Sequence, residues 1–148
     1  MQICLSHYSL PIVDDKVINS KGVLDEPLCK DIVKILTSSD VNITLFDTAE
    51  GYGGGTSEKR VGRLLIDNNP NPANKPVLMT KFLPCPWRLF MRDMENAARA
   101  SCRRMNVKCI DVYLMHSPVH WRPIEYWVQA GAICRKKGLI RAMGLSNW

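Results

Sequence analysis

The sequence predicts an α/β fold built on a parallel sheet or barrel, and three observations lead there. Short β-rich apolar runs alternate with segments whose apolar residues recur at helical spacing. Three of those runs end on an ionisable residue: 43–46 stops at Asp47, 77–80 at Lys81 and 112–115 at His116. A glycine-rich loop carrying Tyr52 follows the first. A buried parallel strand reads as such an apolar run, and this architecture gathers its chemistry at the C-terminal ends of its strands.

The elements follow in order. The first strand is expected somewhere in 3–13. Leu28, Ile32, Ile35 and Leu36 share one face, which predicts a helix over 27–36. After the strand 43–46 and the loop 51–55, Ser57 is predicted to cap a helix with Glu58 in its first turn. Val61, Leu64 and Leu65 turn inward there, and the Asn- and Pro-rich stretch between 67 and 76 ends the helix. A strand over 77–80 leads into irregular chain at 83–87. Met91, Met94, Ala98, Cys102 and Met105 then form a stripe at helical spacing, read as core. A strand at 110–115 and a loop through Pro118 and Pro123 precede a helix from 124 to about 137, which Gly138 stops. A strand over 140–145 completes about four βα units. Two regions are expected: 1–27, irregular or holding an obscure first strand, and 28–148, the βα part.

With 148 residues the chain can hold one ordinary domain. The net charge of +6 is spread along it, with clusters at Arg103-Arg104 and Arg135-Lys136-Lys137. Both fall at predicted helix C-termini, where cations favour the dipole. No basic face is interleaved with aromatics, so no nucleic-acid partner is expected. The six cysteines form no C-x-x-C pair and stand at no zinc-site spacing from a histidine. They read as reduced structural thiols, with no metal. No run approaches a membrane span. The stretch 1–13 lacks a basic start and a small-residue cleavage site, which argues against a secretory signal. The expected compartment is the cytoplasm, or a plastid if the true N-terminus lies upstream.

The loop Gly51-x-Gly53-Gly54-Gly55 invites comparison with the dinucleotide fingerprint G-x-G-x-x-G, but Thr56 stands where its last glycine belongs. No acidic residue closes a second strand in the expected context, and a plain βα loop is the better reading. Asp47, Lys81 and His116 each have an ordinary explanation: a turn cap, a solvent-facing lysine, a structural imidazole. Their shared position at strand ends favours a joint one. A tyrosine is a poor acid at its unperturbed pKa of about 10. A neighbouring ammonium favours phenolate, and a carboxylate paired to that ammonium holds it in place. A neutral imidazole can orient a carbonyl oxygen. Such a group can protonate an alkoxide as hydride adds to a carbonyl, and the hydride itself must come from a cofactor.

These residues in their contexts resemble the aldo-keto reductase family. The resemblance runs through Phe46-Asp47-Thr48-Ala49-x-x-Tyr52-Gly53 and Ser57-Glu58-x-x-x-Gly62. It continues in Thr80-Lys81-Phe82, Ile110-Asp111-x-Tyr113-Leu114-x-His116 and Gly144-Leu145-Ser146-Asn147. It covers roughly residues 28–148. It implies a (β/α)8 TIM-type barrel, present as about the first five strands and four helices, and NADP(H)-dependent reduction of an aldehyde or ketone. Tyr52 is then the implied proton donor, tuned by Lys81 and Asp47, with His116 orienting the carbonyl. Ser146 and Asn147 would hold the nicotinamide of NADPH. Thr80-Lys81-Phe82 followed by Pro86-Trp87-Arg88 is similar to the plant and algal branch that includes pyridoxal reductases. Trp87 and Trp121, on loops after later strands, are candidate substrate-pocket walls, or else packing on the barrel top.

A full barrel of this type takes about 250 residues, and the family's first glycine-containing strand is not clear in 1–27. The expectation is therefore an incomplete catalytic half without the later loops that hold pyrophosphate and 2′-phosphate. Self-association through open barrel edges is expected of it. The alternative reading is a non-catalytic fragment, or a regulatory subunit that keeps the fold for interaction.

Overall fold

The computed structural model describes residues 2–4, 26–38, 40, 43–67, 69, 75–118 and 121–147. Its strands are β1 (Gln2–Cys4), β2 (Leu45–Asp47), β3 (Val77–Phe82), β4 (Ile110–Met115) and β5 (Ile140–Leu145). Its helices are α1 (Glu26–Leu36), α2 (Thr56–Val61), α3 (Met91–Arg104) and α4 (Ile124–Lys136), and a π turn (Gly62–Asp67) continues α2. The sheet order is β1-β2-β3-β4-β5, every neighbouring pair parallel.

That order decides the architecture. A doubly wound sheet reverses its direction of travel at a switch point; here each strand is added beside its predecessor without reversal. Right-handed crossovers then lay the helices on one face, and the other face becomes the inside of a barrel-type sheet. The register shows which side chains take which face. Phe46 pairs with Leu78, Thr80 with Tyr113 and Phe82 with Met115. This set meets the helices: Thr80 bonds to Glu58 of α2 and the Phe82 ring lies 5.2 Å from that of Trp127 in α4. The alternate set, Asp47, Met79, Lys81 and Leu114, faces the interior.

The core between sheet and helices holds Met94, Ala98 and Cys102 of α3, Trp127, Ala130 and Cys134 of α4, and Tyr113 and Met115 of β4. The predicted methionine-bearing stripe is this buried face, with Met105 also buried and Met91 partly so. Strands 110–115 and 140–145 lie where the periodicity puts them.

Four expectations need correction. Ser57 does not cap α2. Gly53, Gly54 and Gly55 take positive φ (58, 60 and 93°), so the chain turns earlier, Gly55 holds the cap position and Ser57 is buried inside the helix. Its hydroxyl instead lies 2.7 Å from that of Thr48. β3 runs on to Phe82 because the ladder with β4 continues through Lys81↔Leu114 and Phe82↔Met115. β2 is shifted to Leu45–Asp47, with Ile43 buried before it. On α1, Val33 and Leu36 pack on the core and Ile35 is exposed; the side chains of Leu28 and Ile32 lie outside the described residues.

Candidate active site

Backbone bonds that continue the strand ladders bring the predicted residues to one rim. Thr48 N–H donates to Met79 O (2.8 Å), His116 N–H to Phe82 O (2.9 Å) and Ser146 N–H to Met115 O (3.0 Å). The residues just beyond β2, β4 and β5 are thus held at the same level as the end of β3.

Lys81 does not reach for solvent. It is 5 % exposed and Asp47 2 %, and Lys81 Nζ donates to Asp47 Oδ1 at 2.6 Å and to the Thr48 carbonyl at 2.9 Å. A buried ion pair must offset the desolvation of both charges, which takes short, well-directed bonds like these. The ammonium also lies 5.3 Å from the centroid of the Tyr52 ring, within cation–π range. The Tyr52 ring meets the His116 imidazole edge to face, with centroids 5.6 Å apart. Carboxylate, ammonium, phenol and imidazole therefore form one contiguous cluster from three strand ends. The Asp47 carboxylate is engaged by Lys81.

Beside His116, Asn147 takes a left-handed backbone (φ 62°) and its Nδ2 donates to the His116 carbonyl at 2.6 Å and to Ser146 Oγ at 3.1 Å. This places an amide and a hydroxyl together just beyond β5, against the His116 backbone. Trp87 (77 % exposed) and Trp121 (38 %) stand on the loops after β3 and β4. Trp87 is not packed onto the barrel.

Sequence reasoning missed one feature of this rim. Glu50, two residues before Tyr52, makes a two-armed ion pair with Arg88; Arg88 Nη2 lies 3.1 Å from Glu50 Oε2 and Nη1 bonds Oε1. Glu50 Oε1 also accepts the Leu83 N–H at 2.6 Å. Burial alone would lower the Arg88 pKa, but hydrogen bonding and attraction to Glu50 outweigh it and hold the guanidinium above its ordinary value. The pairing spans 38 residues of sequence, and no local pattern signals it.

The fold is a barrel-type α/β sheet, and the cluster lies at the C-terminal ends of its strands. The aldo/keto reductase family model matches residues 19–148, and the chain belongs to that family. It is similar to the chloroplastic pyridoxal reductase of Arabidopsis thaliana, 34% identical over 115 residues (72% of this chain, 32% of the relative). It is also similar to the methylglyoxal reductase YeaE of Escherichia coli strain K12, 32% identical over 120 residues (79% and 39%). Among solved structures, an aldo-keto reductase from Klebsiella pneumoniae in complex with NADPH superposes with a TM-score of 0.67 at 28% identity, covering 81% of this chain and 40% of that one. The chain thus spans about a third to two-fifths of the length of these relatives.

Proposed function

We propose that this chain carries the proton-relay part of an NADP(H)-dependent reductase of aldehydes or ketones, with Tyr52 as the proton donor. The observation that carries the reading is Lys81 Nζ, buried between the Asp47 carboxylate and the Tyr52 ring. Family membership supports it, and so do the two relatives, whose names specify carbonyl compounds.

Tyr52 Oη gives its proton to the substrate oxygen as the carbonyl becomes an alcohol. The Lys81 ammonium stabilises the phenolate left behind, and Asp47 keeps that ammonium from turning away. His116, against the Tyr52 ring, donates a hydrogen bond that orients the carbonyl oxygen. The amide and hydroxyl of Asn147 and Ser146 are the donor set a nicotinamide carboxamide requires, and they lie beside His116. NADPH, when bound, supplies the hydride. Trp87 and Trp121 offer apolar walls to a planar substrate. No described helix is long and apolar enough to cross a membrane. A cytoplasmic setting fits this reading, and so does a plastid one, by likeness to the chloroplastic relative.

The test is consumption of NADPH with pyridoxal and with 4-nitrobenzaldehyde. Tyr52→Phe is expected to lower the rate by about 10²- to 10⁴-fold, the usual contribution of a positioned acid. An unchanged rate in that variant, or none in the unaltered chain, overturns the enzyme reading for this polypeptide.

A further inference from the structure

Tyr52 stands in a stretch with little intrinsic order. Residues 51, 53, 54 and 55 are glycines, and the last three take left-handed conformations. Glycine has the most backbone freedom to lose on ordering. Holding the phenol against Lys81 therefore requires restraint from outside the loop. The backbone bond from this segment to β3 is long, Glu50 N–H to Lys81 O at 3.4 Å, whereas those from Tyr52 N–H to Ala49 O (3.1 Å) and from Thr56 N–H to the Tyr52 carbonyl stay within the turn.

We propose that Glu50 and Arg88 supply that restraint, as positioning residues whose forked ion pair sets the phenol of Tyr52 against Lys81. The inference rests on the reading of Tyr52 as proton donor. Glu50 precedes Tyr52 by two residues, and Leu83, whose N–H it accepts, follows Lys81 by two. Arg88 closes the other side: Nη1 donates to the Leu83 carbonyl at 2.9 Å, and the guanidinium lies 4.9 Å from the Phe82 ring centroid. One clamp thus ties the segment bearing the phenol to the segment bearing the ammonium. The Glu50 side chain is 8% exposed, so the pair is little screened by salt. Two parallel charge-assisted bonds fix direction as well as distance, and a lysine has no fork with which to reproduce them.

The experiment compares Arg88→Lys and Glu50→Asp, which keep both charges, with Arg99→Lys, which alters an exposed ion pair on α3. Hydrogen–deuterium exchange of the chain by itself comes first. Arg88→Lys is expected to speed exchange of amides 49–54 about tenfold, with α3 and α4 unchanged and no effect from Arg99→Lys. In turnover, kcat is expected to fall about tenfold and the solvent deuterium isotope effect to rise, with KM for the carbonyl unchanged, because only the proton donor is displaced. A destabilised but otherwise normal fold would not raise the isotope effect. Glu50→Asp serves where Arg88→Lys does not fold. Native-like exchange at 49–54 in the variant overturns the proposal, whether or not the chain turns over. An unchanged kcat and isotope effect, with Tyr52→Phe inactive, overturns it and leaves the Tyr52 reading standing. A fully active Tyr52→Phe removes both.

Discussion

The Glu58 carboxylate has no exposed surface, and it is held between Thr80 Oγ1 at 2.7 Å and Arg104 Nε at 2.5 Å. Arg104 in turn bonds Ser101 Oγ at 3.1 Å, so one buried network joins α2, β3 and α3 behind the site. Arg104→Leu leaves a buried charge uncompensated and is expected to cost about 3–5 kcal/mol. Thr80→Val removes one bond from the same carboxylate and is expected to cost about 1–3 kcal/mol. Denaturant midpoints of the two variants check the order, and a smaller loss for Arg104→Leu would show that the charge is not buried as described. Asp47, Lys81 and His116 are legible in the sequence because each ends a local apolar run. For Glu58 the sequence offers a place in the first turn of a helix and in the Ser57-Glu58-x-x-x-Gly62 motif, but no sign of its partner. Its partner Arg104 lies 46 residues away, and no local pattern signals the pair.

Among the elements, α2 and its π turn depart most from their sequence reading. Gly62 opens the turn and lies against the residue that follows α3: a Cβ added to it would stand 2.6 Å from the carbonyl carbon and oxygen of Met105. Backbone cannot swing aside as a flexible side chain can. Gly62→Ala is therefore expected to destabilise by about 1–3 kcal/mol, although alanine is the better helix former by about 1 kcal/mol. Thermal melting decides between them; a raised Tm would show that the contact is slack. α3, α4, β4 and β5 were legible because their apolar residues keep one period over a full element. The cap of α2 was not, because three successive left-handed glycines moved the turn ahead of the serine that fits the capping pattern.

At the scale of the whole molecule, two features matter: the edges of the described sheet, and the pH signature of its buried thiols and phenol. Among the described residues β1 and β5 each pair on one side only, and interior-facing Leu114 and Ala142 are partly or fully exposed. We propose that the chain by itself self-associates through those edges. Sedimentation velocity tests this, and a monodisperse monomer with cooperative melting would count against it. Burial pushes the thiols of Cys102 and Cys134 from the ordinary 9.0 up to about 11, and raises the Tyr113 phenol well above 10.0. Unfolding lets these groups ionise at their ordinary values, so the unfolded state binds fewer protons over that window. Stability is expected to be fully present below 9.0 and to fall as the pH rises toward 11. A denaturant midpoint that stays constant across the window would contradict the burial of these groups.

What the sequence by itself determined was the class of chemistry. Three ionisable residues at strand ends and Tyr52 on the loop after the first, in the family's spacing, are what point to the proposed acid, its charge partners and a carbonyl-orienting group. Such signals are local, carried by a strand and the few residues after it. Only the tertiary structure decided that the sheet is singly wound, that Lys81 turns into it against Asp47 and Tyr52, and that Glu50 finds Arg88. Those outcomes depend on strand order and on which face each side chain takes. They are set by packing between segments some 30 to 40 residues apart, where no periodicity in the sequence reaches.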